Sequence, residues 1–337
     1  MTKAFTFGKY YPFHEGHRAL INFALLQCDE LTVLVCASNS ENIRGELRAS
    51  WIRQSFLGLQ KLKIQVYEYS EDELPNNSES SKEVSKIWAS QFKSLLPKID
   101  YVITSEKYGD YIADFIGIKH LPFNIARDHT PISATAIRND LDANWSFLPY
   151  SVKSSFIKKV VILGTESSGK STLCKTLSKH FNCDFVPETA RSINAHSNEC
   201  TFSDLTRIAD AHSEAIKETI SSSKRPLILI DTDINTTESY ANFLFQKELI
   251  TDQRVKDTNQ ADLYLYLDND CEYIQDGTRL SLSDRDQLNL SHLKTLKKNN
   301  VNYIKIGGDW NARRELAIKL IDKLVKNSTK LLPHSNK

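Results

Sequence analysis

The chain has 337 residues, 40% hydrophobic and 25% charged, with a net charge of +1 and a mean hydropathy of -0.40. A near-neutral balance excludes the global basic field that nucleic-acid binding calls for, and no apolar run is long enough to span a bilayer. The length suits two domains with a core each.

The opening, "MTKAFTFGKYY", is too short and polar for a signal peptide and reads as a first strand. Six scattered cysteines without a C-x-x-C pair fit a reducing, cytoplasmic setting and make a structural zinc site a poor fit. In chain order, 4–8, 31–38, 62–69 and 100–106 read as strands, followed by a strand region at "KHLPF". The segments between them, such as "GHRALINFALLQC", carry apolar residues at helical spacing. The second half repeats the alternation, with strands at 158–164, 183–188, 226–231, 262–268 and 302–308. That pattern predicts an α/β protein of two doubly wound parallel-sheet domains. The seam falls near "SFLPYSVKSSF" (146–156), giving domains at 1–150 and 157–328 and a flexible tail at 329–337. A polar stretch at 70–83 reads as a loop inside the first domain.

Near the start, "GKYYPFHEGH" places His14 and His17 just after a strand ending at Gly8. Zinc proteases use H-E-x-x-H; the order here is H-E-G-H, with no later Cys/His cluster. No G-x-S-x-G elbow supports a nucleophilic triad. A crevice between strand end and helix start is where doubly wound sheets bind ligands. Imidazoles there can donate to phosphate oxygens, and Gly16 would leave space for a nucleotide. Downstream, "ISATAIR" supplies Ser133, Thr135 and Arg138, a second phosphate clamp or an ordinary capped helix.

The second half carries "GTESSGKS" (164–171), which fits G-x-x-x-x-G-K-[ST] between a strand and a helical pattern. Gly164 and Gly169 let the backbone curl around phosphate, Lys170 reaches the β- and γ-phosphates, and Ser171 takes a Mg²⁺ position. The ATP-binding stretch also includes Ser167, Ser168 and Thr172. "LILIDTD" (227–233) offers Asp231 to the Mg²⁺ shell, and Asp233 points the same way if the strand persists. The plain alternative is a solvated strand end. "DGTRLSLSDRDQ" (276–287), with Arg279 and Arg285, reads as a mobile lid or as an ordinary charged loop. In "PETAR" (187–191), Glu188 and Arg191 could contact a ribose or pair with each other.

"GKYYPFHEGH" followed by "ISATAIR" resembles the nucleotidyltransferase superfamily, whose (H/T)-x-G-H and I-S-x-T-x-x-R motifs lie on a Rossmann-like fold. With the P-loop half, the whole chain resembles the bifunctional NadR family. "ELRASWIRQSF", "VITSEKYGDYI", "LIDTDINTTESY" and "YIQDGTRLSLSDRDQ" also look like family segments. The resemblance implies a Rossmann-like nicotinamide-nucleotide adenylyltransferase followed by a P-loop ribosylnicotinamide kinase. ATP would be the co-substrate of both with Mg²⁺, and nicotinamide riboside, nicotinamide mononucleotide (NMN) and NAD the other small-molecule partners. It implies that Gly8, Lys9, His14, Gly16, His17, Ser133, Thr135 and Arg138 hold ATP in the first domain, with His14 and His17 catalytic in steadying the transition state. Trp51, Thr104 and Ser105 would shape a substrate pocket there. In the second, Glu188, Arg191, Asp231 and Asp233 would face substrate, with Lys170, Asp233 and Arg279 catalytic and Ser171 and Asp231 on the metal. Some family members begin with a helix-turn-helix domain; this sequence starts directly at the transferase strand, so no operator binding is expected. A homo-oligomer is suggested by the resemblance alone. Two rival readings are a nucleotide-sensing regulator with one active site and a fusion acting on other nucleosides.

Overall fold

The computed structural model describes residues 1–75, 81–126, 128, 131–193, 200–271 and 281–328. The chain divides into two compact units between Ser155 and Phe156. The first contains β1 (Lys3–Gly8), α1 (Glu15–Gln27), β2 (Glu30–Ser38), α2 (Gly45–Ser55), β3 (Leu62–Tyr69) and α3 (Lys82–Leu95). It continues with β4 (Tyr101–Thr104), α4 (Tyr108–Ile116), β5 (Lys119–Pro122), α5 (Ala134–Asn139) and α6 (Tyr150–Phe156), which ends at the division. The second contains β6 (Lys158–Leu163), α7 (Lys170–Phe181), β7 (Asp184–Val186), α8 (Ala190–Ile193), α9 (Phe202–Ser222), β8 (Leu227–Asp231) and α10 (Ile234–Phe245). After these come α11 (Gln253–Asn259), β9 (Leu263–Leu267), α12 (Leu282–Lys298), β10 (Ile304–Ile306) and α13 (Trp310–Ser328).

Both sheets are five-stranded and parallel, in the orders β3-β2-β1-β4-β5 and β10-β9-β6-β8-β7. The fold class read from the alternation is therefore the observed one. In the first unit the order reverses at β1, so crossovers leave to opposite sides and a crevice opens at the carboxyl ends of β1 and β4. In the second, β6 lies between β8 and β9, and its register sets Ile162 beside Asp231.

Each unit has its own core. Phe5, Leu34, Phe92, Val102 and Ile112 cluster in the first, and Val160, Ile162, Leu173, Leu229, Leu265 and Ile321 in the second. Each fully buried side chain of this size contributes roughly 1.5–3 kcal/mol. Central strands are buried on both faces, which is why they read as continuous apolar runs.

The first three strands match or slightly exceed their apolar runs, but some later ones are shorter. The run at 100–106 stops at Thr104, where a turn leads into α4, and 183–188 contributes only Asp184–Val186. Of the charged stretch at 276–287, residues 276–280 lie outside the described residues. The remainder is not loop: Ser281 caps α12 by accepting from the Asp284 amide at 3.1 Å. No helix among the described residues is long and apolar enough to cross a membrane.

Candidate nucleotide sites

In the first unit the loop after β1 and the start of α1 bring the two histidines together. His14 is the N-cap of α1, and its Nδ1 accepts from the Gly16 amide at 3.1 Å. A neutral imidazole that accepts at Nδ1 carries its proton on Nε2, so the second ring nitrogen of His14 is an N–H donor. His17 stacks on it, with ring centroids 3.7 Å apart and planes at 23°. Both rings therefore stand at the positive end of α1, beside the crevice.

Gly16 is also held small by its own cap. A Cβ there would lie 3.0 Å from His14 Cε1 and 3.1 Å from its Nδ1. The nearest object is the His14 ring rather than open space, so the missing side chain lets the cap fold back on its own helix.

The "ISATAIR" segment reaches this loop directly. The Arg138 guanidinium donates to Tyr11 O at 2.6 Å and to Thr135 Oγ1 at 3.0 Å, and lies over the Tyr11 ring. Ser133 caps α5 by accepting from the Ala136 amide at 3.1 Å. The helix start is capped, as the plainer reading has it, and Arg138 joins it to the histidine loop. The Lys9 ammonium sits 3.6 Å from Glu41, while Gly8 ends β1 under the Tyr10 ring.

Arg48, inside the quoted "ELRASWIRQSF" but not singled out, is fully buried. It donates to Lys9 O at 3.1 Å and to Glu41 at 2.7 Å, and stacks on Tyr11. Two arginines thus hold the histidine loop, Arg48 through Lys9 O and Arg138 through Tyr11 O, and both lie over the Tyr11 ring. Trp51 does not fit the pocket role expected of it. It is wholly buried and its indole N–H donates to Ser155 Oγ at 2.8 Å, so it packs α2 into the core. Thr104, also buried, donates from its hydroxyl to Glu106 O and meets His120 Nε2, both at 2.9 Å. His120 Nδ1 is 2.7 Å from Asp110. This chain ties down the turn that carries half-buried Ser105.

In the second unit the P-loop has the backbone that phosphate binding needs. Gly164, Ser167 and Gly169 take φ of 139°, 59° and 91°, and α7 begins at Lys170. A Cβ on Gly164 would strike Ser168 Oγ and Leu267 O. Lys170 Nζ donates to Thr165 O at 2.9 Å, and Ser168 Oγ donates to the same carbonyl at 2.8 Å. Thr172 is exposed on the first turn of α7.

Ser171 Oγ donates to Asp231 Oδ2 at 2.5 Å, while Asp231 Oδ1 is buried with no hydrogen-bond partner among the described residues. A hydroxyl and a buried carboxylate oxygen at the mouth of a phosphate loop are the hard donors that Mg²⁺ takes, so these residues fit that ion. Asp233 is reached differently from the expectation. The strand does not persist: β8 ends at Asp231, Thr232 turns at φ 69°, and Asp233 is the N-cap of α10. Its carboxylate accepts from the Thr236 amide at 3.2 Å and from Asn235. Burial still dominates, raising its pKa to about 6.

Other contacts around the loop were not foreseen. Arg285 Nε donates to Thr165 Oγ1 at 3.2 Å, so this residue is buried against the P-loop rather than carried on a mobile segment. Tyr240 donates to Glu166 at 3.0 Å. Arg313, also buried, donates to Ser168 O at 3.0 Å and Gly308 O at 2.9 Å and pairs with Asp270. Glu188 is half-buried, and its charge is felt by His212 and Tyr240. The Arg191 side chain and Arg279 lie outside the described residues.

A family model described as an AAA domain matches residues 159–313. The trifunctional NAD biosynthesis/regulator protein NadR of Escherichia coli is 26% identical, covering 95% of this chain and 82% of its own length. A crystal structure of NadR protein in complex with NR has a TM-score of 0.60 at 21% identity, covering 96% of this chain and 95% of that one. A second, in complex with NAD and AMP-PNP, has a TM-score of 0.57 at 20% identity with the same coverage.

Proposed function

From the premise that this chain is a relative of the NadR proteins, we propose that it carries two ATP-dependent activities that act in succession on a nicotinamide nucleoside. The second unit phosphorylates nicotinamide riboside to NMN, and the first transfers AMP from ATP to that product, giving NAD and pyrophosphate. The observation that carries this reading is the pair of intact phosphate-binding frames in one chain. One joins His14, His17 and Arg138; the other joins the P-loop, Asp231 and Asp233.

In the kinase step Lys170 leaves Thr165 O to meet the β- and γ-phosphates, and Arg279 is proposed to add charge there. Mg²⁺, held by Ser171 and Asp231, supplies charge neutralisation on the phosphate oxygens when bound. Asp233 takes up or orients the proton of the nucleoside 5′-hydroxyl. A carboxylate raised to about 6 is a better acceptor than an ordinary one and is still ionised at neutral pH. The hydroxyl oxygen bonds to the γ-phosphorus as the bond to the bridging oxygen breaks and ADP leaves.

In the adenylyl step the Nε2–H of His14 and the ring of His17 stabilise charge on the ATP phosphates. Ser133, Thr135 and Arg138 hold the β- and γ-phosphates that depart as pyrophosphate. The NMN phosphate attacks the α-phosphorus in line, so positioning and charge stabilisation supply the catalysis. Chromatography of a reaction containing ATP, Mg²⁺ and a panel of nucleosides tests the reading. NMN and then NAD should form from nicotinamide riboside. Equal turnover of unrelated nucleosides, or nucleotide binding without product, would sink it.

A further inference from the structure

Trp310 opens α13, just after the chain leaves β10 and turns at Gly308 with φ 89°. Its side chain is 39% exposed, although Ala317 and Ile321 further along the same helix are fully buried in the core of the second unit. One edge of the ring rests on the phosphate loop. A Cβ on Gly169 would lie 3.1 Å from Trp310 Cζ3 and 3.9 Å from its Cη2. Gly169 is the left-handed residue that immediately precedes Lys170 at the start of α7. Three hydrogen bonds hold the start of α13 in that place. Asp309 accepts from the Ala312 amide at 2.9 Å, and Arg313 donates to Gly308 O at 2.9 Å and to Ser168 O at 3.0 Å.

Packing on a glycine uses only the edge of an indole. The rest of the ring is aromatic surface open to solvent, and leaving it there forgoes burial that so large a side chain could gain. Its place beside the loop that takes the phosphates says what could cover it. We propose that Trp310 is a ligand-contacting residue of the P-loop site, stacking on the nucleobase of the nucleoside triphosphate that donates the phosphoryl group. The loop backbone and Lys170 answer the phosphates, which any polyphosphate shares. A flat indole answers the base, because every nucleobase has a π-face and stacking adds affinity without needing hydrogen-bond partners. The two contacts therefore divide recognition of one ligand, and only the second depends on the base. The proposal rests on the reading of the second unit as a triphosphate-binding kinase.

The test compares Trp310→Leu and Trp310→Phe with the unaltered protein. Calorimetry measures the affinity of the P-loop for AMP-PNP and for inorganic tripolyphosphate, both with Mg²⁺, the P-loop isotherm being the one lost in Lys170→Ala. Trp310→Leu should weaken AMP-PNP binding about 10-fold, the scale of one base stacked on an aromatic side chain. Its affinity for tripolyphosphate should stay within two-fold. Trp310→Phe should recover much of the loss, because a smaller aromatic face remains. Equal losses for the two ligands would overturn the proposal, since the ring would then only hold the loop in shape. So would an AMP-PNP affinity within two-fold of the unaltered protein in Trp310→Leu, or equal recovery of binding in neither variant. If the unaltered protein binds both ligands at the P-loop but phosphorylates no nucleoside, the kinase reading falls, and the comparison of ligands still decides the role of Trp310.

Discussion

Gly16 shows how little room the histidine pair has. A methyl group there would push on the His14 ring, which is both the helix cap and a proposed phosphate donor. Gly16→Ala should therefore cut adenylyl transfer from supplied NMN by roughly 10–100-fold, as expected for a misplacement of up to an ångström. The kinase step should be unchanged, and separate assays of the two reactions check this. His292, buried on α12, makes a second residue-level prediction, through pH. Burial and the nearby Lys170 charge lower its folded pKa to about 3, while in the unfolded chain it returns to the ordinary 6.5. Its contribution to stability is then complete above pH 6.5 and is lost as the pH falls toward 3, because only the unfolded chain takes the proton. The slope is about 1.4 kcal/mol per pH unit. Urea unfolding between pH 4.5 and 7 should be flatter in that window for His292→Phe; parallel curves would contradict it.

At the level of elements, the sites depend on side chains that fasten loops to the sheets. Arg313 joins α13 to the P-loop carbonyl of Ser168 and to the ends of β9 and β10. Arg313→Met should destabilise the second unit by about 2–4 kcal/mol, since buried charged hydrogen bonds are lost together. Nucleotide affinity at the P-loop should fall with it; calorimetric unfolding and binding measure both. Gly109 opens α4 beneath His120, and an added Cβ would collide with both His120 and Thr104. Gly109→Ala should lower the melting temperature of the first unit and raise the KM for NMN while sparing the kinase.

The element pattern was legible because parallel strands buried on both faces are continuous apolar runs, and the P-loop and H-x-G-H motifs sit at fixed places after such strands. What the pattern could not carry was how each strand ends. Asp233 needed a left-handed turn at Thr232 to become a helix cap, and nothing in "LIDTD" distinguishes that from a continuing strand. Arg48, Arg285 and Arg313 look like ordinary surface charges in the sequence. Their burial follows from long-range contacts, as does that of Trp51, for which the resemblance implied a pocket role but whose indole is bonded to Ser155.

At the scale of the whole molecule, the central claim is that one chain holds two chemically separate sites, and that the product of the second unit is the acceptor for the first. Such sites should be separable by single substitutions. The direct measurement is time-resolved chromatography of nicotinamide riboside, ATP and Mg²⁺ with the unaltered protein, Lys170→Ala and His17→Ala. Unaltered protein should pass riboside through NMN to NAD. Lys170→Ala should leave riboside untouched yet convert supplied NMN, while His17→Ala should accumulate NMN and form little NAD. Loss of both steps from either substitution in a protein that remains folded would contradict the two-site account.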